Sequence, residues 1–320
     1  MLFKPKTKEE LRKAIEEHCE NNDQKYGNIN DWDVSLITDM SNLFYCCEYL
    51  NYCKKKIHHF NQPINNWNVS NVTSMSEMFS SCNEFNQPIN NWNVSNVTDM
   101  NYMFRECNHF NQSINNWNVS NVTSMFGMFY KCTNFNQPLD NWNVLNVTCM
   151  NFMFSKCINF DQPLNNWNVS NVKSMSRMFQ DCVNFNKPLN GWNVSNVTDM
   201  AFMFSGCINF NRFLNNWKFF SVKCMEYMFC ECNKFDRTYF YINIVQNHLT
   251  IQESIIYELL NYIPVIKIYC LINDKESLMI HLNDFDKQQI QNYIANSSND
   301  ICKICYLETK CIDNICGLCN

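Results

Sequence analysis

Tryptophan recurs at 32, 67, 92, 117, 142, 167, 192 and 217, so that after a first gap of 35 residues every spacing is 25. Around each lies one pattern, W-N-V-S-N-V-T-x-M-x-x-M-F-x-x-C-x-x-F-N-Q-P-[IL]-N-N. It takes in all 8 Trp and 15 of the 17 Met, and 8 of the 20 Cys keep step: Cys47, Cys82, Cys107, Cys132, Cys157, Cys182, Cys207 and Cys232. The first gap is longer because about ten extra residues stand within Glu48 to Phe60. A fixed period in this range is the signature of stacked supersecondary units that bury each other's faces. No other feature constrains the fold as much.

The spacing inside one unit predicts its elements. Trp92 and Val94 stand two apart, as inward positions of a strand do. Val97, Met100, Met103 with Phe104, and Cys107 then follow at steps of three and four, one face of a short helix, with Ser95 and Thr98 as its N-caps. Phe110 packs the return, and Pro88 and Pro138 mark a stretch that cannot donate to a ladder. The expected class is thus α/β: a solenoid of eight strand-turn-helix repeats over residues 28–235. Its apolar first face needs a cover. Thr7-x-x-Glu10 is a capping box, and Leu11, Ala14, Ile15 and Cys19 follow on one face, so a capping helix is expected over 7–21 within an N-terminal cap of residues 1–27. Repeat eight decays, with Lys218-Phe219-Phe220 in place of Asn-Val-Ser, as terminal copies do. The period stops near Phe235. Residues 236–299 read as a small α+β region, with helices at Thr250–Ile263 and Asp286–Ala295 and a strand at Val265–Ile272, and residues 300–320 as a Cys-rich tail.

Composition removes several function classes. The five glycines never fall close enough together for a phosphate-cradling loop, and neither H-E-x-x-H nor G-x-S-x-G occurs. No enzyme signature is present, so no catalytic residue is nominated. The net charge is −5 and the longest basic run is Lys54-Lys55-Lys56, a poor basis for nucleic-acid binding. No apolar stretch is long enough for a membrane span, and Met1 to Glu17 has no apolar leader core. The expectation is therefore a cytoplasmic protein, its thiols reduced or bound to metal. Glycine scarcity further suggests that the turns use Asn and Pro instead.

The Trp, Met and Cys columns read as core. The exposed strand positions differ in kind. Asn66, Asn91, Asn116, Asn141 and Asn166 precede the Trp, and Asn68, Asn93, Asn118, Asn143 and Asn168 follow it, so one face should be a wall of amides. It is expected to form an Asn ladder between repeats, and it is the candidate partner-binding face. The positions after the Thr (Ser74, Asp99, Ser124, Cys149, Ser174, Asp199) vary from repeat to repeat and could confer specificity. The many N-x-[ST] matches, such as Asn68-Val69-Ser70, are by-products of the repeat in a chain that is not exported. His58-His59 near Cys46 and Cys53 fits no zinc spacing and reads as an irregular loop. In the tail, Cys302-x-x-Cys305 and Cys316-x-x-Cys319 have the form of a four-thiolate site for one structural zinc ion, with Cys311 as a spare or a substitute ligand. Free or redox-active thiols and disulfides stay open there.

Trp92-Asn93-Val94-Ser95-Asn96-Val97-Thr98-Asp99-Met100, with Met103-Phe104, Cys107 and Phe110-Asn111, resembles the hallmark of the BspA-like leucine-rich-repeat proteins of the mycoplasma-lipoprotein type. The start, Glu10 to Ile15 followed by Tyr26 to Ser35, is similar to that family's usual opening, and the resemblance covers about residues 5–235. It implies a leucine-rich-repeat-like solenoid used for binding or adhesion, with no catalytic residues. Such arrays occur in mycoplasmas, in gut and oral microbes and in giant viruses of protists, where the setting would be the virion or the host cytoplasm. Heavy Asn, Ile and Lys usage fits an AT-rich genome. Three readings of function follow. The first is a non-enzymatic protein-interaction module, its protein partner and oligomeric state unspecified. The second is a ubiquitin-ligase component whose solenoid selects a substrate while the Cys-rich tail, which resembles the start of a RING finger, recruits machinery. The third is a surface adhesin of a cell or virion.

Overall fold

The computed structural model describes residues 2–21, 24–45, 57–236, 240 and 282–296. The chain divides into two units, Met1–Asp236 and Arg237–Asn320.

In the first unit the repeats form one parallel stack. The residues after the recurrent Thr pair in register: Asp39 with Ser74, then Asp99, Ser124, Cys149, Ser174, Asp199 and Cys224. Each bridge is a single residue pair, flanked by bonds such as Thr98 N to Thr73 O at 2.9 Å and Met75 N to Asp99 O at 3.0 Å. A solenoid is therefore present, but its paired position is not Trp92–Val94. Those residues are extended and lie between two turns closed by Trp92 N to Ile89 O and Val97 N to Val94 O, at 3.2 and 3.0 Å.

The expected helix over Val97–Cys107 is likewise absent. Its N–H groups are spent in two alternating ways. Tyr102, Phe104 and Glu106 donate to Phe126, Met128 and Tyr130 of the next repeat at 2.7, 2.9 and 2.7 Å. Met103, Arg105 and Cys107 close four-residue turns onto Met100, Tyr102 and Phe104 at 3.2, 3.0 and 3.0 Å. Tyr102 and Glu106 have φ of 53° and 60°, which breaks any right-handed helix. Successive turns return a side chain to the core every third or fourth residue, so their apolar spacing imitates a helix. Ser95 and Thr98 are accordingly not N-caps: Ser95 N donates to Asn93 Oδ1 at 3.2 Å, and Thr98 Oγ1 donates to Thr73 O at 3.2 Å.

The core is a set of columns. Phe79, Phe104, Phe129, Phe154, Phe179, Phe204 and Phe229 stack at centroid spacings of 5.6–5.7 Å. A second Phe column through Phe85, Phe110 and Phe135 runs beside it, 4.1 Å from the first in the repeat of Phe104. The Trp column lies nearly ring-parallel, Trp142 over Trp167 at 6.3 Å and 2°. Met and Val side chains fill the remainder, all buried.

The Trp and Cys polar atoms of this core have partners one repeat back, while the buried Ser80 and Ser155 hydroxyls have none among the described residues. Trp117 Nε1 donates to Ile89 O at 3.1 Å, and the same geometry recurs at Trp92, Trp142, Trp167, Trp192 and Trp217. Cys107 Sγ donates to Phe79 O at 2.9 Å and Cys132 Sγ to Phe104 O at 2.8 Å. The Cys column is thus a row of buried donors as well as a small apolar filler. All seven described members are thiols and not disulfides.

Helix α1, Lys8–Asn21, covers the first repeat as expected. Thr7 Oγ1 accepts from Glu10 N at 3.2 Å, and the Glu10 carboxylate accepts from Lys6 N at 2.7 Å. Leu11, Ala14 and Ile15 are buried, with His18 and not Cys19 completing the face. Arg12 Nη2 donates to Tyr45 O at 3.1 Å. The equivalent Arg105 O takes an N–H from the preceding repeat, through Ser81 at 2.7 Å, so the helix supplies the donor that an edge repeat lacks.

In the second unit, α2 spans Asp284–Asn296, in place of the expected Asp286–Ala295, and Asn283 caps it by accepting from Asp286 N at 2.9 Å. The expected helix at Thr250–Ile263 and strand at Val265–Ile272 lie outside the described residues.

Candidate interaction surfaces of the solenoid

The ten nominated asparagines, Asn66, Asn68, Asn91, Asn93, Asn116, Asn118, Asn141, Asn143, Asn166 and Asn168, are all exposed. They do not form the expected ladder. Asn93 Oδ1 accepts from Ser95 N at 3.2 Å, and Asn68, Asn118, Asn143 and Asn168 close the same local turn at 3.1–3.2 Å. Among the described residues the amide nitrogens of these five have no partner, so each repeat leaves one N–H2 group facing water.

Other polar residues of the repeat tie the layers together. Asn96 Nδ2 donates to Ser70 O at 2.7 Å, and Asn121, Asn146 and Asn171 repeat this at 2.7–2.9 Å. Asn111 Oδ1 accepts from both Asn136 N and Gln137 Nε2 of the next repeat, at 3.0 and 3.1 Å. The Asn-Gln of N-Q-P is therefore structural. It is the exposed pair around Trp that is left over.

A second surface escapes sequence reasoning. The M-x-x-M-F-x-x-C segment carries two left-handed residues per repeat, and these are seldom glycine. Among the described residues positive φ occurs at thirteen non-glycine positions, including Glu77, Tyr102, Lys131, Phe152, Lys156, Arg177, Phe202 and Tyr227. Gly127 and Gly206 also occupy such places, so neither Asn nor Pro substitutes for glycine there in general. These residues and their neighbours form a continuous ridge. Tyr102 and Phe126 lie 5.0 Å apart, Phe126 and Phe152 5.5 Å, and Phe202 and Tyr227 5.0 Å. The Arg177 guanidinium sits 5.2 Å from Phe152 and 4.7 Å from Phe202, filling the gap between them. Arg105 lies over Tyr102 at 5.6 Å, and its Nε is buried without a hydrogen-bond partner. Glu106 accepts from Lys131 Nζ at 2.7 Å and from Ser81 Oγ at 3.1 Å. Lys131 and Arg105 hold the Glu106 carboxyl below its ordinary value against the opposing effect of burial, the larger single influence. The variable positions after the Thr are half-buried residues whose backbones form the parallel bridges.

Burial pushes the thiols of Cys107, Cys132, Cys157, Cys182 and Cys207 well above the ordinary value, which makes them inert. Among the described residues, no three His, Cys, Asp or Glu side chains converge as a metal site would require. Cys46, Cys53 and the side chain of His58 lie outside the described residues, while His59 pairs with Glu84 at 2.7 Å. Cys302, Cys305, Cys311, Cys316 and Cys319 lie outside them as well. An open recess of about 780 Å³ beside the N-terminal segment is lined by Phe3, Lys4, Lys25, Tyr26 and Trp32, with Lys4 paired to Asp33 and Lys25 to Glu17. No described helix is long and apolar enough to cross a membrane.

Parallel single-residue bridges, columnar core and exposed side-chain rows define a stacked repeat protein. The chain belongs to the family described as "Mycoplasma protein of unknown function, DUF285", whose model matches residues 13–138, 49–164 and 128–242. No curated protein matches the chain. Among solved structures it is similar to a chain of the "Crystal structure of TLR13-ssRNA13 complex", with 9% identity and a TM-score of 0.27. That match covers 73% of this chain and spans 38% of the other.

Proposed function

We infer that this protein is a non-enzymatic interaction module that binds another protein through the outer rows of its solenoid. The observation that carries this reading is the division of labour among its polar groups. The Trp and Cys donors and the inter-layer Asn and Gln groups are satisfied repeat after repeat, whereas the amides of Asn68, Asn93, Asn118, Asn143 and Asn168 are left pointing outward in register. A row of identical donors at a fixed pitch suits multivalent contact with an extended surface. The resemblance to BspA-like leucine-rich-repeat proteins supports binding or adhesion as the general role.

A photo-activatable cross-linker placed at Asn118 in the full chain tests this. Discrete cross-linked products with another protein are expected, and they should disappear when unlabelled chain competes. Irradiation that yields only unmodified chain would contradict the reading. For the tail, the two C-x-x-C pairs support one zinc ion held by Cys302, Cys305, Cys316 and Cys319. One equivalent of zinc in the purified chain, lost in Cys302→Ser/Cys305→Ser, is expected. A metal-free preparation with five reactive tail thiols would overturn it.

A further inference from the structure

The amide row is nearly the same in every repeat, so it can supply affinity but little discrimination. The ridge differs from repeat to repeat. Four of its residues, Tyr102, Phe152, Arg177 and Phe202, have φ of 53–58°, a region that penalises L side chains and in which Gly127 stands without that penalty in a neighbouring repeat. Large rings held in a disfavoured backbone at half-exposed positions are not accounted for by packing the core, whose columns lie elsewhere. Such outliers point toward function.

The chemistry of the ridge selects its occupant. Each interior ring is flanked along the stack on both sides: Phe152 by Phe126 and Arg177, Phe202 by Arg177 and Tyr227. Phe202 is sandwiched between Arg177 and Tyr227, and Arg177 covers one face of Phe152, so these two rings offer mainly their electropositive edges outward. Arg177 adds a guanidinium with no carboxylate within 4 Å among the described residues, its N–H fork unspent on any side-chain or carbonyl acceptor there. The nearby Lys131 and Lys156 are already engaged, with Glu106 at 2.7 Å and Asp181 at 3.9 Å. Ring edges and a free guanidinium both favour an anion, and the fork matches a carboxylate in particular. Resting on the interaction reading above, we propose that the ridge from Tyr102 through Phe126, Phe152 and Arg177 to Phe202 is the specificity-determining docking site for an acidic, apolar segment of a partner protein, whose carboxylate pairs with Arg177.

Selection of a twelve-residue peptide library displayed on phage against the full chain tests this. Enriched peptides should carry Asp or Glu within a few residues of Phe, Trp or Leu. Their affinity should fall at least tenfold on Arg177→Gln and fall less on Arg177→Lys, with thermal unfolding unaltered by each. Basic peptides, or peptides indifferent to Arg177→Gln, would overturn the site. If those peptides ignore Arg177→Gln and respond instead to Asn93→Ser/Asn118→Ser, the interaction reading survives and only the ridge fails. Tight oligouridylate binding abolished by Arg177→Gln, or dimerisation abolished by it in sedimentation, would replace the acidic segment with RNA or with a second copy. A library that enriches nothing counts against both.

Discussion

At the residue scale, the recurrent cysteine combines two demands that Ser and Ala each meet only in part. It fills a fully buried apolar site and donates to a backbone carbonyl one repeat back, as Cys157 does to Phe129 O at 2.9 Å. With thiols raised by burial, Cys107, Cys132, Cys157, Cys182 and Cys207 should resist iodoacetamide at pH 8 in the native chain and react fully in urea. Labelling of these five without denaturant, read by peptide mass mapping, would show that the column is open. The left-handed positions make a second residue-scale prediction. Lys156 is exposed at φ 65°, and Gly206 holds the equivalent place two repeats on. Lys156→Gly should gain about 0.5–1 kcal/mol in urea unfolding, the relief of the left-handed penalty less the entropy of a new glycine. Gly206→Ala should lose stability, because the new Cβ would lie 2.3 Å from Asp181 Oδ1. The opposite pair of signs would show that these turns carry no strain.

At the scale of elements, the cap helix was legible and the repeat's interior was not. Thr7, Glu10, Leu11, Ala14 and Ile15 form a local code that a helix satisfies by itself. The steps Val97, Met100, Phe104 and Cys107 satisfy two structures at once, a helix and a run of turns. The choice depends on whether Tyr102 N–H finds Phe126 O in the next layer, which one repeat cannot reveal. The ridge was hidden for a related reason. Tyr102, Phe126, Phe152 and Arg177 form no motif along the chain and meet only through stacking. The amide row was legible because it repeats, although its bonds proved local and not cross-layer. The N-terminal edge adds a pH prediction. Lys4, then Ser35, hydrogen-bond Asp33 and hold its carboxyl at about 2, below its ordinary 3.8. A depressed carboxylate contributes stability above its unfolded value and loses it as pH falls through the folded one. The thermal midpoint should therefore drop modestly between pH 4 and 2 as Asp33 protonates, and Lys4→Ala should flatten that part of the curve. A slope unchanged by Lys4→Ala would assign it to other carboxylates.

At the scale of the whole molecule, the stack builds the first unit from one repeated core. Trp, Phe, Met and Cys columns and the Asn-Gln bonds fix each layer on the last, so the outward side chains can vary without disturbing the core. All of this depends on backbone bonds running between repeats and not within a helix. Through-hydrogen-bond NMR couplings on the deuterated chain observe those bonds directly. Correlations are expected from Tyr102 N to the carbonyl carbon of Phe126, from Phe104 N to that of Met128 and from Glu106 N to that of Tyr130. Correlations from Tyr102 to Thr98 and from Phe104 to Met100, the partners an α-helix would use, would contradict the stacked-turn architecture.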